Sequence, residues 1–262
     1  MSRKIVVSIS GKGGTGKTTL TSLLLKWLIE NTEEVPLVVD ADPATNLHSV
    51  LGVSLGRTVG QASGEMKKRI ASGELSPTVP KRDVLEAWIF QTLVEGDRFD
   101  LLAMGRSEGE GCYCYVNSVL TQILDTLTSN YSVTLLDMEA GIEHLSRRTD
   151  RDVDVMLAVT DPSKMGFETA KRVKELISEV HVGVKRTYLV GNRFTEATHD
   201  LLQRAADEIG LELAGYLPND DQIMVYNVAG KPLLELPEDS AAYRAIEDIV
   251  EKIGLDVMRS RT

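Results

Sequence analysis

One short run near the start of the chain, Gly11-Lys12-Gly13-Gly14-Thr15-Gly16-Lys17-Thr18-Thr19, limits the possible folds more than any other feature. It satisfies G-x-x-x-x-G-K-[ST]. It stands between an apolar run, Lys4 to Ser10, and a stretch whose Leu20, Leu23, Leu24, Trp27 and Leu28 share one helical face. A strand, a glycine loop and a helix in that order form a phosphate cradle, because backbone N–H groups curl round phosphate oxygens and the helix N-terminus adds positive charge. Gly13, Gly14, Thr15, Gly16 and Thr19 then line the cradle, Lys17 reaches the β and γ phosphates, and Thr18 offers its hydroxyl to Mg²⁺.

The remainder of the 262 residues fits the same architecture. Further apolar runs at Leu37 to Asp40, Leu101 to Met104, Val133 to Met138, Val153 to Thr160, Thr187 to Gly191 and Glu212 to Tyr216 alternate with loops or helical patterns. The expected fold is α/β, a doubly wound, mostly parallel sheet flanked by helices, in a single domain over 1–262. A less regular helical insertion is expected around 52–100. The last helical pattern, Ser240 to Val257, places Ala241, Ile246, Ile249, Val250 and Ile253 at helical spacing and is expected to pack back onto the sheet.

Charge narrows the partners. Lys and Arg total 29 against 39 Asp and Glu, a formal charge of −10, which disfavours a sequence-independent grip on nucleic acid or an anionic membrane. No apolar run approaches the ~18 residues needed to cross a bilayer, and the C-terminal tail, Met258 to Thr262, has no bulky apolar face. The N-terminal run reads as a buried strand and not as a signal peptide, so a cytoplasmic location is expected.

Lys12 is a second lysine inside the loop. It is either a solvated surface cation or a charge aimed at phosphates of a second subunit, which requires a dimer with nucleotides facing across the interface. Asp40, Asp42 and Asp137 each follow an apolar strand, where ligand sites of parallel sheets collect and carboxylates bind Mg²⁺ or orient water. Asp42-Pro43 also fits a helix N-cap followed by proline.

The string GKGGTGKTT resembles the deviant phosphate-loop ATPases, the group that includes MinD, ParA, the nitrogenase iron protein and nickel-inserting maturation ATPases. Two further segments carry the resemblance. Asp40-Ala41-Asp42-Pro43-Ala44-Thr45-Asn46-Leu47 is similar to the first switch of that family, which implies that Asp42 positions the attacking water. Asp137-Met138-Glu139-Ala140-Gly141 is similar to the second switch, which implies that Asp137 holds the Mg²⁺ shell. The resemblance places base recognition at Asn192-Arg193; no aspartate follows there, only Phe194 and Thr195, so ATP is expected over GTP. Pro218-Asn219-Asp220 resembles the second base-side loop and equally suits a β-turn.

The only two cysteines form Cys112-Tyr113-Cys114, at the start of a helical pattern with Leu120, Ile123, Leu124 and Leu127. Residues i and i+2 of an extended segment point the same way, and a helix N-terminus favours thiolates. Two such pairs across a two-fold axis would supply the four thiolates of a tetrahedral site for a soft ion such as Zn²⁺ or Ni²⁺; two reduced structural thiols also fit.

The strings GCYCYVNSVL and DMEAGIEHLSRRT resemble the CooC-type ATPases, which assist nickel insertion into carbon monoxide dehydrogenase and acetyl-CoA synthase. That resemblance implies Cys112 and Cys114 as metal ligands, Lys12, Lys17 and Asp42 as the catalytic set, a homodimer, and a nickel enzyme as client. His144 would relay nucleotide state or simply pack. Two other classes compete: a positioning ATPase like MinD or ParA, and a redox ATPase like the nitrogenase iron protein.

Overall fold

The computed structural model describes residues 4–74, 80–106, 125–139, 153–179 and 183–260. Strands β1 (Ile5–Gly11), β2 (Leu37–Asp40), β3 (Asp100–Ala103), β4 (Val133–Asp137), β5 (Val153–Thr160), β6 (Val184–Phe194) and β7 (Glu212–Pro218) form one sheet in the order β3-β2-β4-β1-β5-β6-β7. All six strand pairings are parallel. β2 and β4 are buried along their whole length, as expected where helices cover both faces of a parallel sheet. The described helices are α1 (Lys17–Asn31), α2 (Leu47–Val50), α3 (Val59–Ala71), α4 (Lys81–Phe90), α5 (Lys164–Glu179), α6 (Glu196–Ile209), α7 (Asp221–Ala229), α8 (Ala241–Arg244) and α9 (Ile246–Ile253).

Side-chain alternation divides the core between the two faces. Val7, Ile9, Val155, Leu157 and Val159 join the cluster that contains Leu20, Leu24 and Trp27 of α1 and Ile246, Ile249 and Ile253 of α9. Met156 and Ala158 join the opposite cluster, with Met66 of α3, Val173 of α5 and Leu202 and Ala206 of α6. The sequence shows one apolar face on α1, whereas the structure buries it nearly all round, Leu25 and Lys26 included, because the C-terminal segment covers its outer side. There Lys26 donates to Leu234 O at 3.1 Å, pairs with Glu30 and lies 4.8 Å from the Tyr243 ring, so its ammonium is not buried without partners.

The C-terminal pattern is interrupted at Ala245, so α8 and α9 are separate, and Gly254 ends α9 with φ 79°. Between 52 and 100 the structure places α3 and α4. A capping box starts α3: Thr58 Oγ1 accepts from Gln61 N at 3.2 Å and Gln61 Oε1 accepts from Thr58 N at 2.9 Å. Gly60 N donates to Met104 O at 2.7 Å, and a Cβ on Gly60 would run into Arg106 O. The start of α3 is thereby clamped to the segment that leaves the carboxyl end of β3. No helix among the described residues is long and apolar enough to cross a membrane.

Candidate active site

β4 and β5 lie on opposite sides of β1, and the crevice at the carboxyl ends of these three strands is where the topology places a ligand. The loop from Gly11 fills its floor. Lys12 O accepts from Thr15 N at 3.2 Å, from Thr15 Oγ1 at 2.7 Å and from Lys17 Nζ at 3.3 Å, so one carbonyl sets the curl of the loop. Gly14 and Gly16 have φ of 80° and 95°, and Gly16 is the N-cap of α1. Lys17 is buried, whereas Gly13 and Gly14 are exposed at the tip. The lysine ammonium is thus presented from below and the backbone from around.

A Cβ on Gly16 would overlap the Asn192 side-chain amide and would be held at an unfavourable φ. Gly16→Ala is expected to weaken nucleotide binding by at least about tenfold and to lower the melting temperature by several degrees. Calorimetric titration with ATP and a thermal melt check both.

Thr18 Oγ1 donates to Asp137 Oδ2 at 2.7 Å, while Asp137 Oδ1 is buried with no hydrogen-bond partner. Burial, reinforced by the charges of Asp40 and Asp42 and opposed by the Thr18 hydroxyl and Lys17, pushes the Asp137 carboxyl up to about 7. A hydroxyl beside an orphaned carboxylate oxygen is the hard oxygen set that suits Mg²⁺. When bound, the ion would neutralise this carboxylate and draw phosphate charge toward Thr18 and Asp137.

Asp40 organises the neighbouring loop. Its Oδ1 accepts from Asp42 N at 3.2 Å and its Oδ2 from Leu47 N at 3.0 Å; burial raises its pKa despite those two bonds. Asp42 Oδ1 accepts from Ala44 N at 2.8 Å, and Thr45 adopts φ 52°, a strained value for a β-branched residue. No helix begins at Pro43; the next, α2, starts at Leu47 behind Asn46. Asp42 therefore closes a turn instead of capping a helix, on a loop that hangs from Asp40 beside the phosphate loop. Ala41 N donates to Asp137 O at 2.8 Å and ties the two switch segments together.

On the far side, Asn192 Nδ2 donates to Thr15 O at 2.7 Å and Arg193 donates to Gly14 O at 2.6 Å. Pro218 and Asn219 lie at the end of β7, and Asp220 caps α7 through Gln222 N at 2.9 Å. Burial opposes ionisation of Asp220, but Ser240 Oγ at 2.6 Å, Ala242 N at 3.0 Å and Gln222 N outweigh it and hold its carboxyl below the usual range. This fixes the loop after β7 to the start of α8.

The structure thus brings Lys12, Lys17, Thr18, Asp42, Asp137, Asn192 and Arg193 to the carboxyl ends of the inner strands, joined by strand-end geometry and direct hydrogen bonds. The sequence groups Asp40 with Asp42 and Asp137 as strand-end carboxylates for Mg²⁺ or water, whereas in the structure Asp40 holds the loop; Asp161 is not singled out there, although an aspartate directly after an apolar strand is a signal for it. Cys112, Cys114 and His144 lie outside the described residues. No cluster of three or more metal-ligating side chains occurs among the described ones.

The family model of the CobQ/CobB/MinD/ParA nucleotide binding domain matches residues 6–233. The chain belongs to this family. An uncharacterized ATP-binding protein of Methanocaldococcus jannaschii is 47% identical, over 95% of this chain and 98% of its own. The carbon monoxide dehydrogenase accessory protein CooC of Rhodospirillum rubrum is 28% identical, over 95% of this chain and 97% of its own. The septum site-determining protein MinD of Pyrococcus horikoshii, solved with Mg-ADP, superposes with a TM-score of 0.67 at 19% identity, covering 99% of this chain and 100% of its own. The chain is accordingly a P-loop ATPase with a fold that binds ATP and Mg-ADP in this family.

Proposed function

We propose that this CobQ/CobB/MinD/ParA-family ATPase is a metallochaperone that couples ATP hydrolysis to delivery of nickel to a client enzyme. Cys112-x-Cys114 carries the reading. The last described residues before 107–124 follow the carboxyl end of β3, where Met104 N donates to Asp40 O at 2.8 Å. Two such pairs in a homodimer supply four thiolates. The similarity to CooC of Rhodospirillum rubrum supports nickel as cargo and carbon monoxide dehydrogenase or acetyl-CoA synthase as client. The acidic charge supports a role without nucleic acid or an anionic membrane.

In hydrolysis, Asp42 orients water toward the γ phosphate, Lys17 neutralises charge from within the subunit, and Lys12 does so from the partner. Asn192, with Pro218 and Asn219, forms the base side.

Anaerobic titration with Ni²⁺ and Zn²⁺, read by native mass spectrometry, tests the metal. The wild type is expected to bind one ion per dimer. Cys112→Ser with Cys114→Ser is expected to lose it, with apparent affinity down at least ~10³-fold, while ATP binding survives. A wild type that binds no thiophilic metal yet dimerises on ATP would replace this reading with a MinD-type positioning role. A brown chromophore in the anaerobic protein would point instead to an iron–sulfur redox role.

A further inference from the structure

We propose that Arg193 is a positioning residue of the phosphate loop, held on the carbonyl side of that loop by Asp161, and that of the Asn192-Arg193 pair only Asn192 is left to face the base. The proposal rests on the nucleotide site and not on the metal reading. Arg193 sits at the carboxyl end of β6 with φ 62°; with Thr45 it is one of two described non-glycine residues in the left-handed region. A residue with a Cβ is disfavoured there, so its surroundings must hold it.

What holds Arg193 is the phosphate loop. Its guanidinium donates to Gly14 O at 2.6 Å and lies 3.6 Å from Asp161 Oδ2. Asp161, the residue after β5, is itself fixed by the Ser163 hydroxyl at the entry to α5. Next to it, Asn192 is buried against Gly16 and donates to Thr15 O at 2.7 Å. Two successive residues of β6 therefore grip two successive carbonyls of the loop. The N–H groups of a phosphate cradle point inward, so carbonyls on its outer side must find donors elsewhere, and a charged donor holds such a carbonyl more firmly than a neutral one.

The donor inventory separates the two side chains. Guanidinium only donates, and here its Nη2 is engaged by Gly14 O and Asp161. Asn192 uses its NH₂ on Thr15 O and still has an amide oxygen, the acceptor that the exocyclic amine of adenine requires. Loss of Arg193 should then weaken every ligand that carries the phosphates, whatever its base.

The test is the affinity of Arg193→Gly, Arg193→Ala and Asp161→Asn for ATP, GTP and inorganic tripolyphosphate. Arg193→Gly suits the left-handed backbone, so it keeps the fold even if the alanine variant does not. It is expected to bind all three ligands roughly tenfold more weakly, as for a lost charge-assisted hydrogen bond, with the ATP to GTP ratio unchanged. Asp161→Asn, which leaves Arg193 in place, is expected to move all three in the same direction by a smaller factor. A change in the ATP to GTP ratio of more than about threefold in Arg193→Gly would make Arg193 a base reader and overturn the proposal. Unchanged affinity for all three ligands would overturn it too. Failure of the wild type to bind any of them would remove the nucleotide site itself, a separate result.

Discussion

A mixture of Lys12→Ala and Asp42→Ala chains, each inactive alone, is expected to hydrolyse ATP at about a quarter of the wild-type rate once the chains exchange partners in a dimer. Each single variant should lose on the order of 10³-fold in kcat, the range for removing a transition-state cation or the group that orients water. In a mixed dimer the Lys12→Ala chain retains Asp42 and receives Lys12 from its partner, so one of the dimer's two sites is complete. Random pairing makes half the dimers mixed, which gives the quarter. The Lys12 carbonyl faces the loop and accepts from Thr15 and Lys17, while its ammonium has no partner among the described residues and is available to phosphates. No recovery in the mixture would place Lys12 in its own site, and the trans role would fall.

The phosphate loop was legible because G-x-x-x-x-G-K-T fixes both a spacing and a context. One strand and one helix had to flank it, and Ile5–Gly11 and Lys17–Asn31 do. Strand existence was legible from apolar runs bounded by turn residues, but strand ends were not. β6 continues past Gly191 to Phe194, because Asn192 pairs with Leu217 and Phe194 with Pro218 of β7 around an irregularity at Arg193. The same holds for α1, whose one apolar face was readable while its second buried face depends on the C-terminal segment that covers it. Asp42-Pro43 shows the opposite failure. Its local pattern suits a helix cap, yet Asp40 reaches over it to Leu47 N, and the helix begins four residues later than Pro43. Contacts with other segments decided each of these points, and no local period records them.

Asp137→Asn is expected to make the nucleotide-free protein more heat-stable at pH 8 while it abolishes hydrolysis. The Asp137 side chain is buried in the fold, with one oxygen unpartnered and its carboxyl pushed up to about 7. In the unfolded chain the same group titrates near 3.9. The folded form therefore keeps a proton that the unfolded form releases. Stability from this group is fully present below about pH 4 and is lost as pH rises through about 7. Between pH 5 and pH 8 the loss amounts to roughly 2–3 kcal/mol, and Asp40, raised for the same reason, acts in the same direction. An amide does not titrate, and it can still accept from Thr18. The melting temperature of Asp137→Asn minus that of the wild type should thus grow from pH 5 to pH 8 by roughly 4–10 °C. Mg²⁺ with ATP should reverse the order, because ligand stabilises only the form that binds it well. Thermal melts of both proteins at the two pH values, with and without Mg-ATP, carry the test. A difference that stays constant with pH would mean that Asp137 is ionised in the folded protein at no cost, and that its unpartnered oxygen does not set the electrostatics of this crevice.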